Sequence, residues 1–327
     1  MKVLLTGAYG FLGSHILDAL CESGEDVRVL LRRTSDTRFI EQRLPQVEVH
    51  YGSLTDTQSL TAAARGIECV IHCAGKTKVV RASEFYAANK DGARNVAEAA
   101  NASKSSVRRL ILISSRAVLG PSVADRPAAE DDAPAPVSEY GRSKLEGERE
   151  VKACAQMPVT ILRPSAIYGP RDVEFLPVFR AVKAGFAPLF GGGRQQINLV
   201  YAPDVAQAVL RAMNAPEAAG RAYNVASPEV TSSRQLLEEI ARQLDVHPIK
   251  LPLPMATLYP VCLLQEVLSR LTHRASMLSR QKYRELRAAG WVCSSERMRE
   301  ELGFVCPTGL REGVARTIDW YKTQGRL

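Results

Sequence analysis

MKVLLTGAYGFLG, residues 1–13, decides the fold of this 327-residue chain. Val3, Leu4 and Leu5 form a short apolar run of the kind a strand buried on both faces presents. Gly7, Gly10 and Gly13 follow in the spacing G-x-x-G-x-x-G. Ile16, Leu17 and Leu20 then share one helical face, and Gly24 supplies a stop. Strand, glycine turn and helix together give that spacing its meaning. Gly7 takes backbone angles closed to other residues as the chain leaves the strand. Gly10 lets a pyrophosphate approach the backbone amides, and Gly13 lets the helix pack on the strand. The free amides and dipole of the helix start favour the anion, which places Phe11 and Leu12 beside a bound dinucleotide.

Working outward, VRVLL at 27–31 reads as the second strand and ends in Arg32 and Arg33. In a dinucleotide-binding unit this strand end lies beside the adenosine ribose, where a carboxylate about twenty positions past the glycines would bind the hydroxyls of NAD. Arg32 stands nineteen positions past Gly13, with no carboxylate at the strand end. Two guanidiniums offer planar donors to a 2′-phosphate, so NADP is expected ahead of NAD, with Asp36 as the alternative ribose ligand. Val47, Val49 and Tyr51 alternate as a third strand, and Gly52-Ser53-Leu54 falls where an adenine would lie. CVIHCA at 69–74 is a fourth run closed by Gly75. Its small residues Cys73, Ala74 and Gly75 suit close passage of a cofactor, and His72 reads as packed rather than catalytic.

The alternation continues with a helix over 85–100, a strand at 110–113 ending in Ser114-Ser115, and a proline- and acid-rich surface loop over 121–136. A helix capped by Ser138 carries Tyr140, Lys144, Leu145 and Glu148, and a sixth strand at 159–162 closes in Arg163-Pro164. This rhythm predicts an α/β fold, a doubly wound parallel sheet of the Rossmann type. Beyond Gly169 the rhythm breaks into a helix at 175–183, a connector Gly191-Gly192-Gly193, a strand at 198–201, a helix opened by Pro203-Asp204, a strand at 223–225 and an amphipathic helix at 235–244. The expected division is a dinucleotide-binding domain from 1–169 plus 198–225, and a smaller, mostly C-terminal substrate-binding part from 170–197 plus 226–327.

Composition narrows the function. Hydrophobic content of 46% and charged content of 24% are those of an ordinary soluble globular chain. The net charge of +8 suits an anionic ligand or surface. The basic residues are scattered and no aromatic stripe accompanies them, so nucleic acid is not expected as a partner. Seven cysteines, an odd number with no C-x-x-C, fit a reducing, cytoplasmic compartment and inert thiols. None of the five histidines sits in a metal-ligand spacing, so no metal is expected. Met1 leads straight into the first strand, so no signal peptide is expected. The segment 251–271 is unusually apolar, yet Pro252, Pro254 and Pro260 argue against a bilayer span. It reads as a core or interface element, or as a hydrophobic lid over a greasy substrate or a membrane-surface contact.

Tyr140 and Lys144, four apart, share one face of a helix. Ser115, twenty-five residues before Tyr140, ends a strand at the edge where an open parallel sheet places its ligand. A phenol titrates near 10, and a neighbouring ammonium favours its ionised form, so Tyr140 is expected to be lowered. Tyr140 would then exchange a proton with substrate, Lys144 would also hold the nicotinamide ribose, and Ser115 would donate to the substrate oxygen.

Six stretches together resemble the extended short-chain dehydrogenase/reductase family across most of the chain: TGAYGFLG at 6–13, NKDGARN at 89–95, ISSRAVLG at 113–120, YGRSK at 140–144, RPSAIYGPRD at 163–172 and NLVYAPDVAQA at 198–208. The resemblance implies a catalytic set of Ser115, Tyr140 and Lys144. It also implies cofactor contacts from Asn89, Ser114, Tyr140, Lys144, Pro164, Ala166 and Ile167, beside Gly7, Gly10, Phe11, Leu12, Gly13, Arg32, Arg33, Ser53, Leu54, Cys73, Ala74 and Gly75. Arg116 and Ala117 stand where sugar-nucleotide 4,6-dehydratases place acids, and Ser53 stands where the family often has Asp. GFAPLFGGGRQQINLVY at 185–201 looks closer to the 3β-hydroxysteroid dehydrogenase and dihydroflavonol reductase branches. The expectation is an NADP-dependent oxidoreductase interconverting a secondary alcohol and a ketone on a small apolar substrate, working as a homodimer. The alternatives are an NAD-dependent NDP-sugar epimerase and a non-catalytic NADP-binding redox sensor.

Overall fold

In the computed structural model, which describes residues 1–103, 106–276 and 278–327, the opening stretch forms strand β1 (Lys2–Thr6) and helix α1 (Phe11–Glu22) around the glycine turn. There follow β2 (Asp26–Leu31), β3 (Glu48–Tyr51), α2 (Thr57–Ala64), β4 (Cys69–His72), α3 (Ser83–Tyr86), α4 (Gly92–Ala102), β5 (Arg109–Ile113), α5 (Glu139–Cys154) and β6 (Val159–Pro164). The next group is β7 (Ala166–Tyr168), α6 (Leu176–Lys183), β8 (Phe186–Phe190), β9 (Gln196–Ile197), β10 (Leu199–Tyr201), α7 (Ala202–Asn214), β11 (Ala222–Val225), β12 (Thr231–Ser232), α8 (Ser233–Leu244) and β13 (Ile249–Leu253). Then come α9 (Leu258–Thr272), α10 (Arg280–Arg287), β14 (Gly290–Trp291), α11 (Glu296–Leu302) and α12 (Leu310–Thr323).

Seven parallel strands make one sheet in the order β11-β6-β5-β4-β1-β2-β3. The winding reverses between β1 and β4, and a sheet of this kind opens its ligand crevice beyond the carboxyl ends of the strands at that reversal. Both faces are covered, so the strands read as apolar runs rather than alternations. Leu5, Val29 and Ile71 face Ile16 and Leu20 of α1 and Val205 of α7, while Leu4, Leu30 and Val70 face Leu60 of α2 and Val96 of α4. This is the doubly wound α/β architecture expected from the alternation.

A third core gathers Phe179, Leu189, Leu236, Ile240 and Ile318 between α6, β8, α8 and α12. The segment 198–214 returns to the sheet side, with Val200 and Val205 in the first core. One stretch expected in the substrate part does likewise. Met298, Leu302 and Cys306 pack in the first core, and α11 lies on β11, covering the sheet's outermost strand.

Two further differences from the sequence reading have physical causes. The helix expected over 85–100 is α3 and α4 joined by a π-turn at Ala87–Asp91, which carries Asn89. The apolar segment 251–271 is not a core element. It ends β13, which pairs with β8, and then forms α9, whose Leu263, Leu264, Val267, Leu268 and Leu271 are exposed.

Candidate active site

The parallel register brings the ends of β1 to β6 to one edge, and with them the stretches expected to hold a cofactor. At the end of β1, Gly7 adopts φ +79°, and a Cβ there would lie 2.6 Å from the Ala74 nitrogen. A Cβ on Gly13 would lie 1.9 Å from the Gly7 carbonyl oxygen. These two glycines lock the turn against α1 and the end of β4. Gly10 differs: a Cβ there would meet only the Gly7 oxygen, at 3.3 Å, which leaves its outer side clear. Gly10 is also the N-cap of α1, with no side-chain cap and no acid in the first turn, where Phe11 and Leu12 stand. The first amides of α1 are therefore open to an anion. The Ala74 amide donates to Thr6 Oγ1 at 3.3 Å, and that hydroxyl bonds His72 Nδ1 at 2.7 Å. His72 is buried, and the loss of hydration pushes it down to about 3, so it is a neutral packed histidine.

Arg32 and Arg33 are exposed at the end of β2. Arg32 Nη2 donates to the Tyr9 hydroxyl at 2.8 Å, and its guanidinium lies 5.8 Å from that ring's centre. Arg33 lies over Tyr51 at 5.0 Å. Asp36, the alternative ribose ligand, is engaged by Arg38 Nε at 2.7 Å. Ser53 and Leu54 follow β3. A Cβ on Gly92 would meet Leu54 Cδ1 at 2.9 Å, and Asn95 Nδ2 donates to the Leu54 carbonyl at 2.7 Å, so α4 braces this loop.

At the middle of the edge, β5 delivers Ser114 and Ser115. The Ser115 hydroxyl accepts from the Ala117 amide at 3.1 Å, and a Cβ on Gly141 would lie 2.7 Å from the Ala117 carbonyl oxygen, so this turn packs against the stretch that carries Tyr140. Helix α5 starts beneath it, capped by Ser138, whose Oγ accepts from the Gly141 amide at 3.1 Å. The Tyr140 ring packs on Phe85, with centroids 5.9 Å apart. One turn on, buried Lys144 donates from Nζ to the Ile113 carbonyl at 2.9 Å. A Cβ on Gly75 would lie 2.8 Å from Asn89 Oδ1 and 3.3 Å from Lys144 Nζ, so glycine is required where β4, Asn89 and Lys144 meet. Ser115, Tyr140 and Lys144 thus gather beside residues 73–75. Pro164 ends β6, and Ala166 and Ile167 lie on β7, which pairs with β10.

Asn89 and Ser114 were expected beside the cofactor, but the partners that hold them, and the Glu148–Arg163 pair, were not singled out from the sequence. Asn89 accepts from the Lys76 amide at 2.9 Å and donates to the Lys76 carbonyl and Ser143 Oγ, both at 3.0 Å. Glu148, two turns past Tyr140, accepts from Ser114 Oγ at 2.5 Å and pairs with Arg163 through Nη2 at 2.7 Å and Nε at 3.0 Å. The Glu139 amide donates to Gln281 Oε1 of α10 at 2.8 Å. These partners lie far apart in sequence and follow no periodicity, so only the fold displays them.

The electrostatics correct one expectation. Tyr140 is not lowered: loss of hydration around the phenol pushes it up to about 12, with the Ser115 side chain acting the other way. Lys144 is itself lowered by burial, and its amine is aimed at the Ile113 carbonyl. Desolvation therefore outweighs the ammonium's pull, and the phenol keeps its proton at neutral pH.

The family model described as the NAD dependent epimerase/dehydratase family matches residues 3–226. The chain is 32% identical over 326 residues to the ceramide reductase of Caulobacter vibrioides, covering 99% of this chain and 96% of that protein. It is 31% identical over 345 residues to sterol demethylase protein B of Methylococcus capsulatus, covering 100% of each. The crystal structure of gox2253 aligns with a TM-score of 0.83 and 28% identity, covering 100% of this chain and 99% of that one.

Proposed function

The chain belongs to the NAD dependent epimerase/dehydratase family and is an enzyme of the extended short-chain dehydrogenase/reductase type, and from that premise we propose that it is an NADP-dependent reductase of a keto group on an apolar, lipid-like substrate. The observation that carries this reading is the gathering of Ser115, Tyr140 and Lys144 at the sheet edge beside Gly75, with burial holding the proton on the Tyr140 phenol. A protonated phenol beside a second hydroxyl suits proton delivery to a carbonyl oxygen as charge develops on it.

The open amides of Phe11 and Leu12 would hold the pyrophosphate of the dinucleotide, against Gly7, Gly10 and Gly13. Arg32 and Arg33 would hold the 2′-phosphate, and Ser53 and Leu54 would flank the adenine. Residues 73–75, Asn89, Ser114, Pro164, Ala166 and Ile167 would line the path to the nicotinamide, whose chemistry when bound is hydride transfer. Ser115 donates a hydrogen bond to the substrate oxygen. Tyr140 gives that oxygen its proton. Lys144, one turn along α5, holds the ribose hydroxyls and stabilises the phenolate left on Tyr140. The sheet-based part is read as the dinucleotide-binding domain, and the part built on the third core as the substrate side. The names of two relatives, a ceramide reductase and a sterol demethylase protein, support a lipid substrate.

The test is loss of NADPH absorbance with keto-lipids presented in detergent micelles. Tyr140→Phe is expected to lower turnover by about a thousandfold while dinucleotide affinity stays within about threefold. In the reverse direction the phenolate is required, so alcohol oxidation should climb about tenfold per pH unit on the way toward 12. Tightly held NAD in the purified protein, with no net change in nicotinamide absorbance on sugar nucleotides that interconvert, would replace this reading with the epimerase.

A further inference from the structure

We infer that helix α9, backed by α10, is a docking face for an anionic lipid bilayer. Docking stands on the surface alone; its use, to hand a keto-lipid to Tyr140, rests on the reaction proposed above.

The outer face of α9 departs from that of an ordinary surface helix, being apolar like the inner one. Leu258, Cys262 and Ser269 share the inward side and are buried. Pro260, Leu264, Val267, Leu268 and Leu271 recur at i, i+4, i+7, i+8 and i+11 on the outward side. Leu264 is 59% exposed and Leu271 72% exposed. An outward stripe is where a soluble helix carries its charges, yet here Arg270 and Thr272 stand only at its borders. A contiguous exposed apolar stripe with a polar border marks a contact surface.

Charge selects the occupant. The stretch 258–287 holds six Lys and Arg residues against Glu266 and Glu285. Glu266 pairs with Arg270 and Arg280, and Glu285 with Lys282. Arg274, Arg284 and Arg287 are exposed, with no carboxylate partner among the described residues. An apolar stripe rimmed by cations matches acyl chains beneath anionic headgroups. A second copy of this chain is a poorer match, since a two-fold contact would set the same positive rims against each other. The helix is 15 residues long, and no helix among the described residues is long and apolar enough to cross a membrane. Lying in the plane of the headgroups is the geometry left to it.

The back of the hairpin meets the proposed site. Tyr283 of α10 packs on Tyr259 of α9, with centroids 5.2 Å apart. Gln281, two residues before it, accepts from the Glu139 amide at 2.8 Å, next to Tyr140. The face turned to the bilayer is therefore one helical layer from the phenol.

The test is co-sedimentation of the whole protein with vesicles of phosphatidylcholine alone, or with about a third phosphatidylglycerol. The protein is expected to pellet with the anionic vesicles and to be released by salt. The double variant L264E/L271E should weaken that partition about tenfold or more. R274E/R284E should reduce binding to anionic vesicles to the level seen with neutral ones. Both variants should keep the parent's far-UV circular dichroism and its turnover of a short water-soluble ketone. Equal pelleting of parent and L264E/L271E would overturn the inference. So would a dimer that L264E/L271E converts to monomer while neither form binds vesicles, which would make a second copy the occupant. Vesicle binding without reduction of any keto-lipid would uphold docking and sink the reaction; reduction in micelles without vesicle binding would do the reverse.

Discussion

Helices α5 and α9 have 16 and 15 residues, and they invert the usual relation between polarity and burial. α5, EYGRSKLEGEREVKAC, is rich in charge yet buries Ser143, Lys144 and Glu148. α9, LYPVCLLQEVLSRLT, is rich in leucine yet turns most of its leucines to solvent. The difference lies in partners. Each buried polar group on α5 has one: Lys144 has the Ile113 carbonyl, Ser143 has Asn89, and Glu148 has Ser114 and Arg163. A buried polar group so paired avoids the desolvation penalty that would otherwise expel it. The outward leucines of α9 have no partner element among the described residues, which is the reason to look for one outside the chain.

The largest effect on the α5 side comes from its deepest ion pair. Glu148 and Arg163 side chains are 2% and 5% exposed. Glu148→Gln removes the anion and leaves a buried guanidinium without its counter-charge, which should cost about 3 kcal/mol of stability. Urea unfolding followed by circular dichroism would measure it. Replacing Arg163 by Met in the same chain should recover part of the loss, because the stranded charge is then gone. A Glu148→Gln protein with the parent's midpoint would break the comparison, since α5 would then be buried without need of its partner.

Signals carried by neighbouring residues are legible in the amino-acid sequence itself. The glycine spacing, the run VLL, and Tyr140 with Lys144 one turn apart are local patterns, and they lead to the sheet edge where these groups stand. What stayed hidden depends on distance. Arg163 finds Glu148 only because β6 lies beside α5, and Gln281 reaches Glu139 across 142 positions. The expectation of a lowered Tyr140 failed for a related reason: the Lys144 spacing is visible in the sequence, but the desolvation around the phenol is not. β8 is hard to read because Pro188 sits at its centre, where a strand paired on one side only tolerates it. The exposure of 263–271 is undecidable from hydropathy, which is the same for a core helix and an uncovered one.

A smaller effect tests the exposed, polar end of the same edge. Arg32 and Arg33 have aromatic supports, Tyr9 and Tyr51, and no carboxylate partner among the described residues. Each guanidinium is thus positioned without being neutralised. Replacing both by serine should weaken NADPH about tenfold more than NADH, a difference that shrinks as salt is added because the site is exposed. Titration of both dinucleotides at two ionic strengths would show it. Equal losses for the two would mean that these arginines shape the Tyr9 turn and do not meet a phosphate.

The smallest expected effect is the sharpest on the comparison. Placing two carboxylates in a helix that packs its leucines inward would be ruinous, yet L264E/L271E should change stability by no more than about 0.5 kcal/mol. Both side chains stand mostly in water, so the substitution removes almost no packing and improves hydration. Leu258, 5% exposed on the inner side of the same helix, supplies the contrast: Leu258→Ala should cost about 2 kcal/mol or more, because it opens a cavity where α9 sits on the protein. Thermal unfolding of the two variants beside the parent measures both at once. Should L264E/L271E cost as much as Leu258→Ala, the outward stripe is already covered within the protein's own assembly, and α9 obeys the same rule of internal partners as α5.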